Sequence, residues 1–271
     1  TEVVGEDVSQ LVFCDLFAGT GIVGRNFKHF VKQVIANDVE FYSYILNRNY
    51  IGNRLPISIE KELAILNNLE GVEGFIFQNY CENGSEGRLY FSSENGKKID
   101  AMRQQIEAWK SAHKINEDTY YFLLASLIES ADKVANTASV YGAYLKKIKK
   151  SAQKKLVIQP AIFEITMSPH QVFNEDGNTL IKKIKGDILY LDPPYNARQY
   201  GSNYHLLTTI AKYDTFKPLG KTGLRSYYKS SYCKKNEVKK SFVELIKNAN
   251  FKYIFLSYNN EGLMPEDEIR S

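Results

Sequence analysis

Cysteine is scarce in this chain: of 271 residues only Cys14, Cys81 and Cys233 carry a thiol. They are odd in number, far apart and in no Cys-x-x-Cys or Cys/His spacing. That excludes a disulfide scaffold and a structural zinc site, and it fits a reducing compartment. No metal is expected. No apolar run approaches the roughly 20 residues that cross a bilayer, and no signal-peptide pattern opens the sequence, so the expected location is cytoplasmic, with no membrane partner. Neither charge sign dominates, since 35 Lys and Arg face 31 Asp and Glu for a net +4; where the charges cluster therefore matters more than their sum. Internal repeats and low-complexity tracts are absent. Aromatics are plentiful at 13%, including 19 Tyr, more than a core needs and enough for stacking surfaces. The sequence opens on Thr1 rather than Met, as expected of a piece of a longer or processed chain.

Short apolar runs alternate with helical patterns. LVFCD (11–15) and KQVIAND (32–38) predict buried strands, with helices over IVGRNFKHF and FYSYILNRNY after them. The same grammar returns later as HQVFN, a helical TLIKKI, the strand DILYLD, a helix from about Tyr204 to Tyr213, a helical KKSFVELIKNA and the strand FKYIFLSYN (251–259). Strands too short to be helices, separated by helices, predict a parallel sheet covered on both faces. A stretch of about 110 residues interrupts this order, too long for a loop and so an inserted subdomain. It begins acidic and glycine-rich (EGVEGFIFQNYCENGSEGRLYF) and then reads as helical over IDAMRQQIEAWKSAH, TYYFLLASLIESADKVA and YGAYLKKIKK. The expected division is 1–54 with 166–271 as one domain and 55–165 as the insertion.

DLFAGTGIVG (15–24) follows a strand and opens a helix. Gly19 and Gly21 let backbone approach a ligand, and the helix N-terminus favours acceptors and negative groups. Gly19 to Gly24 also fits G-x-G-x-x-G, and Asp38 ends the next strand, where a carboxylate can hold ribose hydroxyls. A dehydrogenase is consistent with these features alone, and so is a tight turn whose glycines serve only packing. Asp15 shifts the balance. A carboxylate ahead of the glycines repels a pyrophosphate but suits an ammonium, and S-adenosylmethionine carries an ammonium, a ribose and an adenine without any phosphate. Asp15, Phe17, Ala18, Gly19, Thr20, Gly21 and Asp38 are therefore candidate cofactor-binding residues.

Asp192-Pro193-Pro194-Tyr195 closes the strand DILYLD, at the end of a sheet strand where open α/β folds bind ligands. The prolines fix φ and remove two backbone donors, so the turn presents acceptors: the Asp192 carboxylate and the Pro193 carbonyl. Tyr195 adds a flat face. Rigid acceptors beside an aromatic plate suit a planar group bearing NH2, such as a nucleobase. Accepting both amine protons frees the nitrogen lone pair for in-line attack on a methyl group, a reaction governed by positioning. The base has to leave a duplex to arrive there.

With both motifs in hand, the chain resembles the Dam-like DNA adenine-N6 methyltransferases of restriction-modification systems. DLFAGTG looks like their cofactor motif and DPPY like their catalytic motif, in the order of the alpha group, with a target-recognition insertion between. FNEDGNTLIKKIKGDILYLDPPYNARQYGSNYHLL is similar to a subset of these enzymes. The resemblance implies a Rossmann-like, S-adenosylmethionine-dependent methyltransferase sheet with an inserted, largely helical target-recognition subdomain. It implies that Asp176 binds the cofactor adenine, that Asp192 through Tyr195 are catalytic with Asp192 also against the cofactor, and that duplex DNA and a cognate restriction endonuclease are partners. The family usually carries a Lys-bearing segment before the glycine loop, which TEVVGEDVSQ lacks, and continues past its FLSYN-like strand where this sequence ends at Ser271. Cytosine-N4 methylation needs the same acceptors and plate and remains an alternative, as does a cofactor-binding DNA module without turnover.

Two stretches mix basic and aromatic residues, YGAYLKKIKKSAQKK (141–155) and KTGLRSYYKSSYCKK (221–235). Such patches suit phosphate contacts and displaced bases, although a charge run is often only a solvated face. The second patch, without helical periodicity, makes Lys221, Arg225, Tyr227 and Lys229 the candidate DNA contacts, together with Arg198 and Tyr200 beside the catalytic turn. Gln199 is a further residue within reach of a flipped nucleotide. Target specificity is expected in the insertion, around a loop-like Arg88, Tyr90 and Asn95. His205 reads as structural.

Overall fold

The structure, a computed structural model, describes residues 4–270; the expected cut ends at Thr1 and Ser271 lie outside the described residues. In chain order the elements are β1 (Val12–Asp15), α1 (Ile22–Phe27), β2 (Gln33–Asn37), α2 (Phe41–Asn47), α3 (Glu60–Asn68), α4 (Phe75–Tyr80), α5 (Ser93–Ser111), α6 (Glu117–Lys133), β3 (Gln171–Phe173), α7 (Gly177–Leu180), β4 (Gly186–Leu191), α8 (Tyr200–Asn203), α9 (His205–Lys212), α10 (Val238–Asn248), β5 (Phe251–Leu256) and α11 (Glu266–Arg270). All five strands are parallel, in the order β3-β2-β1-β4-β5. This is the parallel sheet expected from the strand and helix order, and it agrees with the Rossmann-like methyltransferase sheet that the resemblance implies. No helix among the described residues is long and apolar enough to cross a membrane.

The chain forms two compact units, one of Thr1–Leu55, Phe163–Gly201 and Tyr228–Ser271, the other of Pro56–Ile162 and Ser202–Tyr227. The first holds the sheet. Side chains alternate across a strand, so one face of the sheet buries Phe13, Val34, Ala36 and Ile188 while the other buries Cys14, Ile35, Leu189 and Leu191. α10 covers the second face with Val238, Phe242 and Leu245. A buried lysine closes this unit where the chain departs and returns. Lys28 Nζ donates to the carbonyls of Tyr50, Asn53 and Glu164 at 2.9, 2.6 and 2.7 Å. Burial pulls its pKa down to about 8, against the attraction of Glu164.

The second unit is helical. Ser92 and Asn116 cap α5 and α6 by accepting from the backbone of Asn95 and Thr119. α5 carries two buried charges, each spent on a helix end. Asp100 accepts from the backbone N–H groups of Gly74, Ile76 and Phe77, at the start of α4. Arg103 donates to the carbonyls of Ile210 and Ala211 at the close of α9. Anions at N-termini and cations at C-termini match the helix dipole. The expected helix over YGAYLKKIKK does not form: residues 141–150 are turns and irregular chain. Asn136 organises them instead, its amide donating to Leu89 O and Leu145 O and its Oδ1 accepting from Lys149 N, while Tyr141 is anchored in the core by its buried ring. His205 is fully buried and bonds Tyr141 O through Nε2, in keeping with a structural role.

Candidate active site

Parallel strands bring their carboxyl ends to one edge of a sheet, and the candidate acids of the first unit collect there. β1 ends on Asp15, β2 is followed by Asp38, and β4 by Asp192. β1 lies between the other two, with Asp15 in register with Ala36 and Tyr190. The topology thus supplies the convergence, because β1 is the strand at which the chain order reverses.

The glycine loop is held on both sides of one residue. Gly19 N donates to Asp38 Oδ2 at 2.8 Å, and Asn47 of α2 donates from Nδ2 to Gly19 O at 3.0 Å. Gly19 and Gly21 both sit at positive φ, +52° and +79°. Their surroundings differ. A Cβ on Gly19 meets nothing within 4 Å, whereas one on Gly21 falls 2.5 Å from Asn47 Oδ1. Gly21→Ala is therefore expected to lower stability by about 2–3 kcal/mol, backbone strain plus displacement of Asn47, and Gly19→Ala by only about 1 kcal/mol. Paired thermal melts of the two variants check the ordering. Beyond the glycines Thr20 is exposed, Ala18 is buried, and the Phe17 ring meets Tyr232 edge-on at 5.2 Å.

Electrostatics single out Asp15, which is 1% exposed. Its Oδ2 accepts from Gly24 N at 3.2 Å, and its Oδ1 is buried with no hydrogen-bond partner. Burial, reinforced by the nearby Asp38 and Asp192, pushes its pKa up to about 7. Asp38 is raised to about 6 by burial, although the backbone donors Glu40 and Gly19 pull the other way. A buried carboxylate with a bare oxygen and two like-charged neighbours is a site that favours a cation.

In the Asp192 turn, Asp192 is exposed, Pro193 is buried, and Pro194 and Tyr195 are half-buried. The protein around it still raises the Asp192 carboxyl above the ordinary range, and a hydrogen bond with the Ser257 side chain works against that rise. Ser257 follows β5 and also donates its N–H to Leu191 O at 2.8 Å. Tyr195 stands edge-on to Tyr258, with ring centroids 6.4 Å apart, and its carbonyl accepts from Leu263 N at 2.8 Å. Ser257 and Tyr258 are not among the residues the motifs single out, although their place in FLSYN, at the end of the strand beside the one that ends in the Asp192 turn, is the signal that points to them. Asn47, from which no motif radiates, had no such signal.

The remaining candidates fall into three groups. Asp176 caps α7, its Oδ1 accepting from Thr179 N at 3.0 Å and its Oδ2 from Tyr228 Oη at 2.7 Å. Arg198, Tyr200, Lys221 and Lys229 are exposed, and Tyr227 is half-buried. Arg225 stands apart: it is buried, doubly hydrogen-bonded to Asp214 at 2.9 and 2.7 Å, and stacked over Phe216. A guanidinium committed in this way cannot also reach a phosphate, so Arg225 leaves the set of candidate DNA contacts. Arg88, Tyr90 and Asn95 are also buried. Arg88 is spent on the carbonyls of Asn79, Gly220 and Lys221, and Asn95 on those of Ala152 and Lys154. They hold the second unit together and offer nothing to a base.

A model of the D12 class N6 adenine-specific DNA methyltransferase family matches residues 2–271. The Type II methyltransferase M.NlaIII of Neisseria lactamica is 63% identical over 273 residues, spanning 100% of this chain and 81% of the relative. The Type II methyltransferase M.FokI of Planomicrobium okeanokoites is 46% identical across all of this chain, which spans 44% of it. The Type II methyltransferase M.CviAII of Paramecium bursaria Chlorella virus 1 is 40% identical over 97% of this chain and 79% of the relative. No solved structure matches.

Proposed function

The chain belongs to the D12 class N6 adenine-specific DNA methyltransferases, and from that membership we propose that it moves a methyl group from S-adenosylmethionine to the exocyclic amine of an adenine flipped out of duplex DNA, through the residues gathered at the carboxyl edge of its sheet. The observation that carries the assignment of residues is the convergence of Asp15, Asp38 and Asp192, close enough for the latter two to raise the first.

The cofactor fits this edge on two counts. Asp15 offers a buried oxygen without a partner, which matches an ammonium, and the open space at Gly19 admits a group against bare backbone. Asp38 holds ribose hydroxyls with the lone pairs left after its bonds to Gly19 and Glu40. Asp176, Phe17, Ala18, Thr20 and Gly21 line the remainder. S-adenosylmethionine supplies, when bound, a methyl group made electrophilic by its sulfonium.

The chain's own chemistry is positional. Asp192 and the Pro193 carbonyl accept hydrogen bonds from the two amine N–H groups and leave the adenine nitrogen with a usable lone pair. As nitrogen bonds the methyl carbon the sulfonium C–S bond breaks, a neutral thioether leaves, and the surplus amine proton departs by way of the Asp192 carboxylate. Tyr195 holds the base by stacking, itself braced by Tyr258. Pro193 and Pro194 keep these acceptors from relaxing. Arg198, Tyr200, Lys221, Tyr227 and Lys229 contact DNA, and the unit centred on Pro56–Ile162 reads the target. A cognate endonuclease recognising the same sequence is the natural partner, and the cytoplasm the natural location. Incubation of the full-length protein with labelled S-adenosylmethionine and unmodified genomic DNA should place label in the DNA. Persistent absence of label across varied DNA would sink the proposal.

A further inference from the structure

Arg198 and Tyr200 on the far side of the Asp192 turn are exposed, whereas Gln199 between them is half-buried. Its amide makes a reciprocal pair with the backbone of one residue: Ser230 N donates to Oε1 at 2.9 Å, and Nε2 donates to Ser230 O at 3.3 Å. A primary amide can satisfy the N–H and C=O of the same residue at once, as a neighbouring strand would. Cys233 adds a weaker contact, Sγ to Arg198 O at 3.3 Å. The segment Tyr228–Cys233 is thereby laced to the chain that leaves the catalytic turn.

The same segment is fastened to α7. Tyr228 Oη donates to Asp176 Oδ2 and Tyr232 Oη to Asn178 Oδ1, both at 2.7 Å. The Tyr232 ring also meets Phe17 of the glycine loop. A strap of six residues thus runs from the Asp192 turn to the acid assigned to the cofactor adenine. Its bend is fixed locally, with Ser230 Oγ accepting from Tyr232 N at 3.2 Å. Since a carboxylate that accepts from Tyr228 on Oδ2 and from Thr179 on Oδ1 has its rotation fixed, the place of the strap decides where the free lone pairs of Asp176 point.

We infer that Gln199 is a positioning residue for cofactor binding: by clasping Ser230 it seats the strap, and through Tyr228 the strap orients Asp176. With its amide turned to the Ser230 backbone, Gln199 touches neither the cofactor nor the base in this role, which replaces the expectation that it reaches a flipped nucleotide. The role presupposes the cofactor site proposed above, so its test separates the two. Calorimetric titration of the full chain with S-adenosylmethionine, without DNA, should give a Kd about tenfold weaker for Gln199→Leu, which loses both amide bonds, and about threefold weaker for Tyr228→Phe, which loses one. Because both act through one strap, the double variant should bind no more weakly than Gln199→Leu alone. kcat at saturating cofactor should stay within about twofold of wild type, with the loss confined to KM for S-adenosylmethionine. Should Gln199→Leu fail to fold, Gln199→Glu serves: it keeps the acceptor for Ser230 N, sets a carboxylate against Ser230 O, and should weaken binding in the same direction. An unchanged Kd, losses that simply add, or a fall in kcat at constant Kd would overturn the role of Gln199 alone. A wild-type chain that binds no S-adenosylmethionine would overturn the cofactor site, and this role with it.

Discussion

Asp192→Ala should lower kcat for DNA methylation by about 10²–10³-fold, the usual consequence of removing a preorganised polar group that acts on the reacting atom. The variant strips the amine of its charged acceptor and leaves the Pro193 carbonyl alone to hold one proton. Stability should move by about 1 kcal/mol or less, because Asp192 is exposed and gives up chiefly its bond with Ser257. Asp192→Asn is expected to be no better, since it turns an NH2 toward the NH2 of the base. Steady-state methyl incorporation together with a thermal melt separates lost chemistry from lost fold. A pH profile adds a further check. Although Asp192 is exposed, partial desolvation by the surrounding turn raises its carboxyl above the ordinary carboxylate value. The group is the stronger acceptor when ionised, so activity should fall on the acid side as the carboxyl is protonated. That limb should vanish in the residual activity of the variant.

Asp15→Asn should separate stability from binding. Burial raises the Asp15 carboxyl to about 7 in the folded protein, against 3.8 for a carboxyl in the open chain. A group raised on folding contributes stability that is fully present below its unfolded pKa and is lost as pH rises through the folded one. In the free protein this contribution is therefore intact below about pH 4 and gone above about pH 7. An amide does not titrate, so from pH 4 to pH 8 the difference in stability should swing toward Asp15→Asn, by up to about 4 kcal/mol. Over the same change, affinity for S-adenosylmethionine should drop by about 10²-fold, the order expected when one partner of a buried charge pair is removed. Chemical denaturation of the free protein at several pH values, with calorimetry at pH 8, tests both halves. A variant as tight-binding as wild type would show that Asp15 is not held in its uncomfortable state for the cofactor.

How much of this was legible in the sequence depends on how far apart the causal residues lie. The five strands were readable because each is a short apolar run closed by punctuation, and parallel pairing then gathers the acids that end them. The glycine loop and the Asp192 turn were readable for the same reason, since each packs its chemistry into a few adjacent residues. The chain over 141–150 was misread because lysines at helical spacing imitate an amphipathic pattern, while the side chain that forbids the helix, Asn136, lies outside the window. Composition could not tell a phosphate-binding Arg225 from one paired with Asp214 eleven residues away. Nor could it tell a base-reading Arg88 from one spent on carbonyls more than 130 residues distant. Asn47, Ser257 and Gln199 acquire their roles only across the fold, from partners 28 to 66 residues away.

The central claim is that the acceptors and plate of the Asp192 turn work on adenine, and the base itself reports on this. Unmodified duplex DNA should be incubated with the protein and S-adenosylmethionine, digested to nucleosides and resolved by mass spectrometry. The account predicts N6-methyladenine with wild type and its loss with Asp192→Ala. N4-methylcytosine in its place, or N6-methyladenine undiminished in the variant, would contradict it.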